Sequence, residues 1–73
     1  MKAKEGKEMK ERVIRITIRA EGAAFDVDPM GEATRMLHDA GIMLQRKGLD
    51  RLWARDLLDV NGNTAGWIEV MET

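Results

Sequence analysis

Between Leu57-Leu58 and Trp67-Ile68-Glu69-Val70 lies the stretch Asp59-Val60-Asn61-Gly62-Asn63. Asp at the first turn position and Gly at the fourth suit a type I turn. Gly62 then takes the left-handed conformation that closes a three-residue hairpin loop with a bulge. A two-residue Asn61-Gly62 loop is the competing geometry. The two differ by one residue of register, and a one-residue slip turns every side chain of a strand to the other face. The turn therefore dictates a terminal β-hairpin and leaves open which face carries Trp67.

The rest of the chain supplies one more strand and one helix. Ile14, Ile16, Ile18 and Ala20 alternate with Arg15, Thr17, Arg19 and Glu21, the period of a strand with one buried face. Glu21-Gly22 ends it, and Ala23-Ala24-Phe25 leads toward Asp28-Pro29, with Phe25 expected over the base of the helix that follows. Asp28 suits a helix cap and Pro29 the first turn, where its missing N–H costs nothing. Ala33, Met36, Leu37, Ala40, Met43 and Leu44 recur at three- and four-residue spacing. Of these, Ala33, Leu37, Ala40 and Leu44 are expected against Ile14, Ile16 and Ile18. Gly41 lies beside the stripe, where it would permit close approach to the sheet. Gly48 is the natural stop. The second strand is expected over about Ala54–Asp59 and the third over about Asn63–Met71.

These elements make an α+β fold: β-α-β-β, one helix on a three-stranded, antiparallel sheet in order 2-3-1. A parallel pairing of strands one and two through a right-handed crossover is the alternative. Residues 1–11 read as a flexible charged tail and 12–73 as a single domain. In either topology the helix covers one sheet face only. Leu57, Leu58, Ala65, Trp67 and Ile68 cannot all turn toward it. One register leaves Leu57, Ala65 and Trp67 on the open face, the other Leu58 and Ile68.

With 73 residues the chain buries only about 60% of the surface it exposes unfolded, and domains of this size lean on disulfides, metals or partners. There is no Cys and one His, which removes disulfides and thiolate metal sites and makes self-association the expected support. The formal net charge is −1, so no overall basic field favours nucleic acid. Residues 1–12 carry five Lys/Arg and three Glu, and residues 13–73 carry seven Lys/Arg and ten Asp/Glu. No apolar run approaches the roughly 18–20 residues of a membrane span. The N-terminus is too charged for a signal peptide. A cytoplasmic protein is expected.

Catalytic chemistry has little to work with. Ser, Cys and Tyr are absent, leaving Thr, Lys or a carboxylate as nucleophile. His38 and Asp39 are helix neighbours about 100° apart, so they form no acid–base pair, and His38 reads as solvent-facing. Asp26 and Asp28 lack the further oxygen ligands and glycine spacing of a calcium loop, and Gly62 and Gly66 precede no helix that would hold a phosphate. No enzyme, metal or cofactor is expected. Arg15, Thr17 and Arg19 share the outward face of the first strand. With Trp67 beside them they form one arrangement that binds single-stranded nucleic acid; a solvated face with cross-strand ion pairs is the plainer alternative. Two indoles, Trp53 and Trp67, strain the capacity of so small a core, and Trp is a favoured interface anchor.

From Ile14 onward the chain resembles a group of short phage- and prophage-encoded proteins of unknown function. The resemblance rests on Ile16-Thr17-Ile18, Ala23-Ala24-Phe25, Pro29, Glu32-Ala33, Arg35, Leu37, and Asp59-Val60-Asn61-Gly62-Asn63 with Gly66. The N-terminal tail departs from that pattern, as does Gly41, where Ala is more usual. The resemblance implies a mobile-element origin and a bacterial host, and it transfers no active site or partner. The expected function is a non-catalytic protein-interaction module that forms a homodimer or binds a host protein. Its candidate interface is Trp67, Leu57, Ala65, Trp53, Arg15, Thr17 and Arg19. A nucleic-acid-binding module is the alternative.

Overall fold

A computed structural model describes residues 11–73 of the chain. The expected tail lies outside the described residues except for Glu11, whose carbonyl accepts a 3.3 Å hydrogen bond from Thr73 N–H. The element order is β1 (Arg12–Ile18), α1 (Ala23–Val27), α2 (Pro29–Lys47), β2 (Trp53–Leu58) and β3 (Thr64–Glu72). The sheet runs β1-β3-β2 with both pairings antiparallel, the expected α+β arrangement.

The helix ends follow the sequence signals. Asp28 accepts from Gly31 N–H at 3.1 Å, Pro29 opens α2, and Gly48, at φ +71°, donates to Leu44 O at 2.8 Å. Over 19 residues the helix extends about 28 Å. The short helix α1 is an addition to the expected pattern. It carries Phe25 into the core and ends where Asp28, preceding a proline, is forced out of the helical region. No helix among the described residues is long and apolar enough to cross a membrane.

The three-residue loop is the one formed. Gly62 N–H donates to Asp59 O (2.9 Å), Asp59 N–H donates to Asn63 O (2.8 Å), and Gly62 sits at φ +84°. Asp59 Oδ1 accepts from Asn61 and Asn63 N–H, each at 2.9 Å. A second irregularity follows at once. Leu58 pairs with Thr64 but Leu57 pairs with Gly66, so Ala65 is an extra residue in β3. This bulge splits both expected side-chain sets. Leu57, Ala65 and Ile68 all join the core, whereas Leu58 is exposed, and Trp67 is left on the uncovered face.

The core consists of Phe25, Met36, Ala40, Leu57, Ala65 and Ile68, with Ile16, Ile18, Ala33, Met43, Leu44 and Trp53 packed around it. Leu37 does not belong to it as expected: it is 49% exposed, whereas Met36 and Ala40 are fully buried. The helix is rolled about its axis by an anchor at the hairpin. Glu32, on the buried stripe, accepts from Val60 N–H at 2.7 Å, and Arg35 Nη2 donates to Leu58 O at 2.9 Å. Holding these residues toward β2 moves Leu37, about 100° from Met36, onto the opposite flank. A Cβ placed on Gly41 meets nothing within 4 Å, so this glycine provides no close approach to the sheet.

Candidate functional site: the uncovered sheet face

Because side chains alternate along a strand, the pairing register determines both faces of the sheet. Ile14, Ile16 and Ile18 of β1, Gly66, Ile68 and Val70 of β3, and Trp53, Arg55 and Leu57 of β2 share the helix side. The other side carries three cross-strand rows. Thr17, Trp67 and Asp56 form one, Arg15, Glu69 and Ala54 the next, and Val13 with Met71 the last. Leu58 adds an exposed apolar group near the hairpin. Both helices pack on the opposite side, so no described element covers this face.

Trp67 is the centre of the face. It is half-buried on the middle strand and borders a shallow depression lined by Ala54, Arg55, Asp56 and Glu69. Arg15 is exposed and stands opposite Glu69. Arg19 continues the row past the end of β1, where its N–H donates to Ala65 O at 2.7 Å and its guanidinium pairs with Glu21 at 3.2 Å. Four of the seven expected interface residues, Trp67, Arg15, Thr17 and Arg19, thus lie along one face. The other three do not join them. Leu57 and Ala65 are 1% and 7% exposed and turn to the core because of the extra residue in β3. Trp53 lies on the helix side, donating from Nε1 to Gly48 O at 2.9 Å with Lys47 Nζ 5.7 Å from its ring centroid. It closes the edge of the core instead of offering an anchor. Val13 and Met71 were not expected on the open face, and Leu58 was expected there only in the register that turned Trp67 toward the helix. Val13 has the parity of Arg15 and Thr17, and Met71 that of Trp67, so strand alternation was the signal for both, whereas the bulge at Ala65 is what places Leu58 and Trp67 on the same face.

Among the described residues, the cluster with a buried carboxylate lies between α2 and the hairpin. Glu32 is only 7% exposed and pairs with Arg35 at 2.8 Å, while Arg35 also bonds Asp39 at 2.9 Å. The hydrogen bond from Arg35 holds the Glu32 carboxyl below the usual carboxylate range; burial opposes this and the Val60 N–H adds to it. The same pairing raises Arg35 further. Every strong acceptor of this cluster is occupied by a partner that ties helix to hairpin, which is a structural arrangement. His38 is exposed, as expected, and the neighbouring Asp39 is engaged by Arg35. Asp28 is occupied as the helix cap. Among the described residues no three His, Cys, Asp or Glu side chains gather as a metal site would require. Comparison with protein-family models, curated proteins and solved structures finds no match for the chain.

Proposed function

We propose that this chain is a small non-catalytic interaction module of phage type, acting in a bacterial cytoplasm by docking a host protein on its uncovered sheet face. The observation that carries this reading is Trp67, a half-buried indole at the centre of a face that no described element shields. Aromatic anchors surrounded by mixed polar and apolar groups are the usual energetic centres of protein interfaces. Val13, Met71 and Leu58 extend the apolar surface, and Arg15, Glu69 and Asp56 supply charges of both signs for specificity.

The same arrangement weighs against nucleic acid as the ligand. A base stacked on Trp67 would bring its phosphates beside Asp56 and Glu69, and Arg15 and Arg19 each already face a carboxylate. Phosphate binding needs unopposed cations.

Capture of host proteins on the immobilised full chain tests the proposal, using Trp67→Ala and, as a control, Trp53→Phe. Trp67→Ala is expected to keep the folded circular-dichroism spectrum and lose the captured protein, while Trp53→Phe retains it. Capture that is indifferent to Trp67 sinks the reading. Binding of a single-stranded oligonucleotide that weakens steeply with salt would replace it.

A further inference from the structure

The two edges of the sheet are finished differently. Thr73 N–H to Glu11 O and Arg19 N–H to Ala65 O bracket the β1–β3 ladder. In an antiparallel ladder the bonding residues alternate, so the odd-numbered residues of β1 bond to β3. Arg12, Ile14, Ile16 and Ile18 therefore turn their N–H and C=O groups away from β3, to a side that no described strand occupies. The even-numbered residues of β3 serve β2, which leaves Ala54, Asp56 and Leu58 with their backbone groups directed outward.

On the β2 edge Leu58 O is taken by Arg35, and Arg55, paired with Ile68, points a charge toward the helix side. An inward-pointing charge and a covering side chain are devices that keep a strand edge from pairing. Among the described residues the β1 edge has neither between Ile14 and Ile18. Its inward residues are three isoleucines, and Ile14 is 43% exposed. Arg35, Asp39, Ile42 and Arg46 of α2 flank the β2 side. Leu37, about 200° around the helix from Arg35, lies on the flank turned away from β2 and is half exposed.

We infer that β1 is the dimerisation edge of this chain, pairing antiparallel with β1 of a second copy about a two-fold axis to make a continuous six-stranded sheet. A second copy is the occupant that its charge pattern fits. The outward-turned backbone groups of the even residues allow registers centred on Ile14, Arg15, Ile16 or Thr17. Centring on Arg15 sets that residue against itself, and like charges directly opposite repel. Centring on Thr17 sets Arg15 against Arg19, again a like-charge pair. Centring on Ile14 sets Arg12 against Ile16. Centring on Ile16 sets Ile14 against Ile18 and Arg15 against Thr17, with no like-charge pair within the strand. The two β3 strands then stand three inter-strand steps, roughly 14 Å, apart, and the α2 flanks bearing Leu37 face one another across the seam. This pairing leaves the face around Trp67 free and does not depend on what docks there.

Sedimentation of the full chain at micromolar concentration is expected to give twice the 8.3 kDa chain mass. Ile14→Pro removes an edge donor without touching the β1–β3 ladder, and Ile14→Lys places a charge at the seam. Each is expected to weaken dimerisation at least tenfold with the circular-dichroism spectrum kept, whereas Trp67→Ala leaves the dimer intact. Because the chain has no cysteine, an equimolar mixture of the Arg15→Cys and Thr17→Cys proteins reads the register directly. Residues opposed in a non-hydrogen-bonded pair lie about 4.5 Å apart at Cα, within disulfide reach, so the mixture is expected to cross-link better than either protein alone. A monomeric wild type overturns the inference. So does a dimer lost with Trp67→Ala and unmoved by both Ile14 changes, or a mixture that cross-links no better than its components.

Discussion

Met36 and Leu37 are adjacent, similar in size and both plausible core residues by spacing, yet one is fully buried and the other half exposed. Truncating a buried side chain costs its transfer free energy and leaves a cavity. Met36→Ala is therefore expected to lose about 2–5 kcal/mol, most of the stability of a domain this small, while Leu37→Ala loses well under half of that. Thermal melts at a concentration where the chain is monomeric distinguish the two, and equal losses would contradict the helix roll. The roll depends on Glu32. Its carboxyl is held below the ordinary range by Arg35, so the ionised form stabilises the fold. That contribution is fully present above the unfolded carboxylate value, about 4.3, and is lost as pH falls through the lower folded value. Glu32→Gln should thus melt below the wild type at pH 7. The gap should narrow in acid, and a gap constant from pH 7 to 3 would show that the charge contributes nothing.

The elements show what a sequence reveals and what it conceals. The ends of α2 were legible because Asp28, Pro29 and Gly48 each perform a local task that does not depend on the rest of the molecule. The first strand was legible from its alternation, and the hairpin loop from Asp59 and Gly62. The bulge at Ala65 was not, because one inserted residue leaves both flanking strands with a good alternating pattern. The sole hint was Gly66, since an isolated glycine inside a strand often marks a bulge or a close backbone approach. Both occur here: a Cβ on Gly66 would stand 2.1 Å from Thr17 O, a backbone atom. The position of Leu37 was hidden for a different reason. The spacing fixes an apolar stripe but not its centre, which the Glu32 and Arg35 bonds to the hairpin decide. Two of the seven candidate interface residues were lost to the same bulge, which sent Leu57 and Ala65 inward. Gly66→Ala should force β1 and β3 apart and cost at least the 1–3 kcal/mol or so typical of overpacking. Denaturant unfolding measures this loss, and a neutral result would mean that the ladder tolerates a shift.

For the molecule as a whole, the hydrogen bond from Thr73 to Glu11 has a consequence in time. It shows that the strands at the two ends of the described chain lie side by side, although β1 and β3 pair residues 48 to 60 apart in sequence. The β2–β3 hairpin joins residues only 6 to 17 apart. Folding slows as contacts become less local, so the hairpin should form early and the docking of β1 should limit the rate. Cyclic reordering of the chain tests this. Joining Thr73 to Glu11 by a short turn and opening the backbone at Glu21-Gly22 makes β2, β3 and β1 consecutive neighbours with the same contacts. Loop length enters the stability only logarithmically, so the reordered chain should melt close to the original yet refold markedly faster in stopped-flow experiments. An unchanged refolding rate would move the slow step elsewhere, to the seating of α2 on the finished sheet.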